Sequence, residues 1–481
     1  MKKSQEPLKV TELFAGIGAT RKAFESISTI KEIIKRVLPD SYDKLPKEFQ
    51  PFTHKMAVDW NPEAVIAYYA IHYYQNLPDK LKTLDKDIID VFVDTRLKKW
   101  LESNNELDLK KWIEENQITV NDLDPVKWSE IKTKKTKELL AAAMYVSRSG
   151  EPTGLRATNI SKINPEDLEG SDLITYSFPC QGLSIANAQT SKKGLLNKES
   201  KSSVLWELGR LLENMENMPK FLLMENVPGL IYSHNEEYQL WTETLKELGY
   251  TTYTWITNAS DHGSLQIRKR TFALSILGKS PFKNEDDFTN KMEIIREARK
   301  QLYWNQTCIN EKADGKDNQN ACEASDALKN KKKKVYESIF DLDNSRFPEE
   351  AKRVVLRDTP SRNQIVELNE NLNTNEDKDY RIKTVTTKVD RKNTVGLIEW
   401  KIPEDDQLPW RYITEREAFK IQGFSDEDYE AVEGYLKPYK KRQDTLYRLA
   451  GNSIDIRPLE TIFTFIYLIN SGLIKRIKGE K

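Results

Sequence analysis

Leu8-Lys9-Val10-Thr11-Glu12-Leu13-Phe14-Ala15-Gly16-Ile17-Gly18 is the stretch that decides the fold. Leu8 to Phe14 reads as a buried strand, Ala15 to Gly18 as a tight turn, and Thr20 to Leu38 as a helix. A second strand is expected at His54 to Val58, ending in Asp59-Trp60, with a helix over Pro62 to Tyr74. Strand, glycine turn, helix and strand make a βαβ opening, which predicts an α/β fold. The glycines of the turn let a ligand come close to the backbone. An acid at the end of the second strand can bind both hydroxyls of a ribose, and the adjacent Trp60 can stack on an adenine. There is no third glycine of the dinucleotide pattern and no Walker lysine. A nucleoside without a pyrophosphate therefore fits better than NAD or ATP, and S-adenosylmethionine is such a ligand. The plain alternative is a structural turn beside a core tryptophan.

Working outward, the strand rhythm resumes at Asp172 to Phe178, Lys220 to Met224, Thr251 to Ile256 and Arg270 to Leu277. Helical patterns lie between, at Ser203 to Met215 and Glu237 to Leu248, and return at Thr414 to Gln422 and Ile456 to Ile469. Two stretches break the rhythm. Residues from about Gln75 to Gly150 are charged and helix-like and read as an insertion, either a solvated excursion or an extra DNA- or partner-binding subdomain. From about Lys279 to Trp400 polar low-complexity runs appear, such as Lys331 to Lys334, which reads as a second domain or a recognition region with mobile loops.

Composition narrows the class. The chain has 481 residues, enough for two or three domains, and its 75 Lys+Arg are balanced by 75 Asp+Glu. That balance neither favours nor excludes nucleic acid, since an acidic exterior can offset a basic cleft. The three cysteines, Cys180, Cys308 and Cys322, form no zinc spacing, and their sparse, odd count fits a reducing cytoplasm. No signal-peptide core is visible at the N-terminus. The longest apolar run, Ile462 to Leu468, is too short to span a membrane.

Several short segments carry chemistry. Pro179-Cys180-Gln181 follows a strand and puts a lone thiol where active sites of open α/β sheets gather. A thiolate there can attack an electron-poor carbon and leave again, although most lone cysteines are small core residues. Leu222-Leu223-Met224-Glu225-Asn226-Val227 ends a strand in a carboxyl group able to hold or deliver a proton, or in an ordinary loop carboxylate. Gln266-Ile267-Arg268-Lys269-Arg270 suits phosphate or a base carbonyl, or is a charged edge strand. Arg411 to Glu417 reads as strand, N-cap Thr414 and helix, with Glu417 at the capping-box position. Gly451-Asn452-Ser453-Ile454 precedes an apolar helix.

Together and in this order, these segments resemble the DNA (cytosine-5)-methyltransferases, from about Lys9 to Ile469 apart from the insertion and the variable region. The resemblance implies a Rossmann-like S-adenosylmethionine-dependent methyltransferase fold, α/β, with a mixed sheet and helices on both faces, plus a smaller target recognition domain. It implies a catalytic and cofactor domain over 1–278 with the insertion at about 75–150. The recognition domain would span 279–400, and 401–481 would complete the catalytic domain. Phe14, Ala15, Gly16, Gly18, Asp59, Trp60, Asn159, Ile160, Pro179, Leu205, Asn452 and Ser453 would bind the cofactor. Cys180 would attack C6 of cytosine, Glu225 would handle a proton at N3, and Asn226 would position the loop. Arg268 and Arg270 would contact the base carbonyl or phosphate. Gln181, Ser184 and Thr384 would contact DNA, no metal would be needed, and a polar loop at Ser184 to Leu196 would close over DNA. The family usually has Asp where Asn159 stands, and often Pro where Leu265 stands. The resemblance also implies duplex DNA as partner, a monomer in the cytoplasm, and a restriction–modification context whose endonuclease makes no stable contact. Methylation of cytosine in tRNA, and an inactive DNA-binding regulatory subunit, are the competing readings.

Overall fold

The computed structural model describes residues 6–73, 154–179, 204–305, 323–436 and 444–477. The insertion expected at about 75–150 lies outside them. Strands β1 (Leu8–Leu13), β2 (Phe52–Asp59), β3 (Leu155–Ala157), β4 (Leu173–Tyr176), β5 (Phe221–Asn226), β6 (Tyr250–Asn258) and β8 (Lys269–Leu277) form a seven-stranded sheet in the order β3-β2-β1-β4-β5-β8-β6. The two-residue strand β7 (Gln266–Ile267) precedes β8 and lies outside that sheet. From β3 to β5 all neighbours are parallel, whereas β8 runs antiparallel to both β5 and β6. The order reverses between β1 and β4, so a crevice opens at their carboxyl ends, where open α/β sheets bind ligands.

Side chains on the strands alternate between two cores. Val10, Leu173, Leu223, Phe272 and Leu274 belong to one. Leu13, Ile174, Leu222, Met224 and Ala273 belong to the other. Successive strand residues point to opposite faces, so this division means that helices cover both sides of the sheet. On the first face lie α1 (Ala19–Glu25), α2 (Ile27–Val37) and α3 (Pro62–Tyr73); on the second lie α4 (Leu205–Glu213) and α5 (Asn235–Glu247). The first face is completed by segments distant in sequence, α6 (Glu285–Asn305), α8 (Asp426–Leu436) and α10 (Ile456–Asn470). α3 is buried on every side from Ala64 to His72, because α8 covers the flank turned away from the sheet.

Two sequence expectations change in detail. The helix expected over Thr20 to Leu38 is two helices, broken at Ser26. The Ser26 hydroxyl donates back to the Lys22 carbonyl at 2.7 Å, competing with the helical ladder. Lys331 to Lys334 lie in a regular helix, Glu323–Ile339, where Lys332 pairs with Asp379.

The expected 279–400 region is likewise divided in its packing. α6 at its start lies against α2 and α10, in the layer over the sheet. Farther on, β9 (Val355–Arg357), β11 (Leu397–Glu399) and β12 (Gln407–Tyr412) form a small antiparallel sheet of their own. A two-residue strand, β10 (Ile382–Lys383), pairs in parallel with β7 and ties this region to the chain entering β8. α7 (Glu415–Gln422) and α9 (Thr445–Asn452) then lead back toward α10.

Candidate active site

β1 is followed by Phe14, a non-glycine residue held at φ 59, in the left-handed region that L side chains rarely adopt. Such a conformation persists only where surrounding structure enforces it. Here the Ala15 N–H donates to the Val58 carbonyl at 2.9 Å, and the Gly16 N–H donates to Asp59 Oδ2 at 2.7 Å. Asp59 Oδ1 accepts the Asn61 N–H at 2.8 Å. The acid at the end of β2 therefore holds the glycine turn after β1, and the two form one rim. Gly16 sits at φ +56 with open space where a Cβ would be. Gly18 is glycine for a different reason, since a Cβ there would lie 2.1 Å from His72 Nε2.

That rim bounds a cavity of about 230 Å³ at the switch point of the sheet. Phe14, Ala15 and Gly16 line it with Asp59 and Trp60; Pro179 and Glu225 to Val227 line the opposite side. Glu225 sits near the end of β5 and Arg270 near the start of its antiparallel neighbour β8. Arg270 Nε lies 3.0 Å from Glu225 Oε1, both side chains mostly but not wholly buried. The Asn226 side-chain amide donates to the Phe178 carbonyl at 3.1 Å, and its Oδ1 accepts the Val227 N–H at 2.8 Å. Asn226 thus pins the chain two residues before Cys180. One cleft offers a nucleoside-sized rim on one side and a carboxylate–guanidinium pair on the other. That arrangement suits transfer of a group from a nucleoside-bearing cofactor to a base.

A family model for C-5 cytosine-specific DNA methylases matches residues 124–467. The chain belongs to the C-5 cytosine-specific DNA methylase family. This membership bears out the enzyme class and the α/β methyltransferase fold expected from the sequence. The orphan methyltransferase M.SssI of Spiroplasma monobiae is 30% identical over 275 residues, which cover 56% of this chain and 60% of that protein. The type II methyltransferase M2.ScrFI of Lactococcus lactis subsp. cremoris is 26% identical over 463 residues, 96% of this chain and 99% of that one. Among solved structures, the Entamoeba histolytica methyltransferase EhMeth superposes with a TM-score of 0.51 at 17% identity, covering 97% of this chain and 99% of that one. The last likeness concerns the fold alone.

Of the site residues expected in this methylase, the structure brings Phe14, Ala15, Gly16, Asp59, Trp60, Pro179, Glu225, Asn226, Arg268, Arg270, Asn452 and Ser453 around one cavity. Cys180, Gln181 and Ser184 lie outside the described residues. Gly18 packs on His72, between the lining positions Ile17 and Ala19. Three expected cofactor residues sit elsewhere. Asn159 caps a short 3₁₀ turn, its Oδ1 accepting the Ser161 N–H at 3.0 Å. Ile160 and Leu205 are buried in the core of the second face. Among the described residues none of these three lines the cavity.

Arg268 also differs from expectation. It is 3% exposed, and its guanidinium donates to the carbonyls of Val385 at 2.8 Å, Gly451 at 2.9 Å and Ser453 at 2.7 Å. Its Nη1 and Nη2 groups hold main chain around the cavity that Arg268 also lines. Thr384 is held in the same way, its hydroxyl donating to the Ile267 carbonyl at 2.6 Å.

The cavity has further lining residues that sequence reasoning did not single out, among them Asn61, Thr175 and Ser177. Asn61 carried a readable signal. It precedes Pro62, and its Oδ1 accepts the Glu63 N–H at 2.9 Å at the start of α3, the ordinary Asn-then-Pro helix start. Thr175 and Ser177 carried none, since a small polar residue near a strand end is ambiguous alone. No helix among the described residues is long and apolar enough to cross a membrane.

Proposed function

We propose that this chain methylates C5 of cytosine at a specific sequence in double-stranded DNA, with S-adenosylmethionine as donor. The observation that carries the reading is the convergence of the Phe14–Gly16 rim, Asp59, Trp60 and the Glu225–Arg270 pair on one cavity. The rim fits the cofactor. It offers open space at Gly16 and an acid fixed by two main-chain N–H groups beside an aromatic side chain. That donor set suits a ribose and an adenine.

S-adenosylmethionine, when bound, supplies an electrophilic methyl group. The chain's own residues prepare the base to accept it. Cytosine C5 is a poor nucleophile, and attack by a Cys180 thiolate on C6 makes it enamine-like; once C5 carries the methyl group, loss of the C5 proton restores the C5–C6 double bond and expels the thiolate. Glu225 holds a proton at N3, drawing charge from the ring as the bond to C6 forms. Arg270, paired with Glu225, orients that carboxyl and presents a cation to the base carbonyl. Asn226 keeps the Phe178–Pro179 segment beside the cavity, immediately ahead of Cys180 in sequence. Arg268 acts as a positioning residue, joining the cavity wall to Val385. The target atom lies inside a duplex, so the base turns out of the stack to reach the cavity. Gln181, Ser184 and Thr384 are assigned to the DNA side, and the names of the type II relatives support a role in protecting host DNA.

Expression in a methylation-free host, followed by base-resolution methylation sequencing, tests this directly. The expected result is 5-methylcytosine at one recurrent sequence. Soluble protein that leaves no 5-methylcytosine above background overturns it. A parallel arm with tRNA distinguishes methylation of RNA, and Cys180→Ser should abolish transfer in either arm.

A further inference from the structure

Behind the cavity wall lies a fully buried polar cluster in which no sequence motif had singled out Asp455, Arg457 or Ser264. Asp455 is 1% exposed. Its Oδ2 accepts from the Ser264 hydroxyl at 2.7 Å and from Gln266 Nε2 at 2.8 Å. Its Oδ1 accepts from the Arg457 N–H and from Arg457 Nη1, both at 3.1 Å. Gln266, with no exposed surface, also donates to Gln422 Oε1 at 3.0 Å, and its own Oε1 accepts the Val385 N–H at 3.4 Å. Gln422 donates to the Ala450 carbonyl at 2.9 Å. One carboxylate thus stands at the junction of four chain segments that are far apart in sequence.

Val385 is gripped from both sides by this assembly, its N–H by Gln266 and its carbonyl by Arg268. The next residue is pressed against the wall, since a Cβ on Gly451 would lie 2.4 Å from the Thr386 carbonyl carbon. The Phe14–Gly16 rim, the Glu225–Arg270 pair and segment 382–387 are held by different main contacts. The cofactor rim rests on β1, β2 and Asp59. Glu225 and Arg270 rest on the β5–β8 ladder, with Glu225 opposite Phe272 and Asn226 opposite Thr271. Segment 382–387 rests on the β10–β7 pairing, on Thr384 and Arg268, and, through Gln266, on the Asp455 cluster.

We propose that Asp455 is a positioning residue for the nucleic-acid substrate: through Gln266 it sets segment 382–387 against the cavity wall. This rests on the reading of the chain as a DNA methylase. The charge matters, not only the shape. Both carboxylate oxygens face donors, so an asparagine in either orientation turns an NH₂ group against donors already present. With that NH₂ on the Oδ2 side, Gln266 gives way and the Val385 N–H loses its acceptor; on the Oδ1 side it meets Arg457 instead. The Phe14–Gly16 rim and the β5–β8 ladder make none of these contacts.

The test measures DNA KM, kcat, the dissociation constant for S-adenosylmethionine by calorimetry, and the thermal midpoint, for the full chain and for Asp455→Asn. DNA KM should rise roughly tenfold, as expected for a buried group left unpaired, with cofactor affinity held within about twofold and kcat within about threefold. An unchanged DNA KM in folded Asp455→Asn overturns the proposal. So does a parallel loss of cofactor affinity, which is what a general loosening produces. If Asp455→Asn does not fold, Ser264→Ala decides. It removes the hydroxyl that donates to Asp455 and accepts the Gln266 N–H, and no charge, and should raise DNA KM about threefold with cofactor affinity intact; no change in its KM overturns the proposal. A wild-type chain that methylates no duplex overturns the functional reading and this proposal with it. A wild type that methylates duplex beside an indifferent Asp455→Asn overturns this proposal alone.

Discussion

Glu225 and Arg270 meet across antiparallel neighbours, and their 3.0 Å pairing places a carboxylate and a guanidinium on one wall of the cleft. Glu225→Gln keeps the shape and removes the acid–base function. It should lower kcat by roughly 10²–10⁴-fold while leaving cofactor affinity unchanged. Steady-state methyl transfer beside calorimetric titration checks this, and a loss below about threefold would count against a role in proton transfer. A different carboxyl governs stability. Glu12, 1% exposed on β1, accepts a hydrogen bond from the Tyr68 hydroxyl at 2.6 Å. Burial pushes its pKa from 4.5 up to about 7, and burial also pushes nearby His54 down to about 3, so the imidazole is neutral at neutral pH. Between pH 4.5 and 7 the unfolded chain has released the Glu12 proton while the folded chain keeps it. Stability therefore falls as pH rises through that window and levels off above it, by on the order of 3 kcal/mol in total. Glu12→Gln removes this loss. Its urea midpoint should gain on the wild type between pH 5 and pH 8, and parallel curves would refute the assignment. Asp59, Glu225 and Arg270 stood out because each lies at or next to a strand end with a residue type suited to one chemical task. Glu12 was not, because one carboxylate within an apolar run says nothing of what lies across from it.

The start of α7 shows how far local pattern carries at the level of a single element. Thr414 Oγ1 accepts the Glu417 N–H at 3.2 Å and Glu417 Oε2 accepts the Thr414 N–H at 2.7 Å, the reciprocal pair read from their spacing. Thr414→Ala should cost about 1 kcal/mol in chemical denaturation, and Thr414→Ser much less. Spacing did not disclose the second duty of Glu417. Arg411, with no exposed surface, forks onto both of its oxygens at 2.9 and 3.0 Å. Glu417→Gln should therefore cost about 3–5 kcal/mol, several times the loss of the cap, because it strands a buried guanidinium. Equal costs for the two substitutions would refute that ranking. The break at Ser26 was hidden for a related reason. Apolar residues continue on both sides of it with nearly helical spacing, and only the hydroxyl's turn back onto Lys22 ends the first helix.

At the level of the whole molecule, the sheet is closed by chain that returns from far away. α10 lies on α1, α2 and α6, and Arg299 of α6 reaches Glu460 of α10 at 2.7 Å, each about 5–6% exposed. Glu460→Gln should lower unfolding free energy by about 3 kcal/mol or more without altering cofactor affinity, since the pair is remote from the cavity lining. A loss under about 1 kcal/mol would mean that Arg299 finds other support. By itself the sequence determined the βαβ opening, the two-sided strands, the glycine rim, the acid at the end of β2 and the order of the chemical segments. Each of these is written in spacing along a few residues, where backbone geometry translates pattern into position. Tertiary structure alone decided that Arg268 clamps carbonyls, that α6 belongs with the helices over the sheet, and that Asp455, directly and through Gln266, links four segments. A buried polar group takes its meaning from the partner that replaces water, and that partner lies up to some two hundred residues away in the chain, as between Gln266 and Asp455.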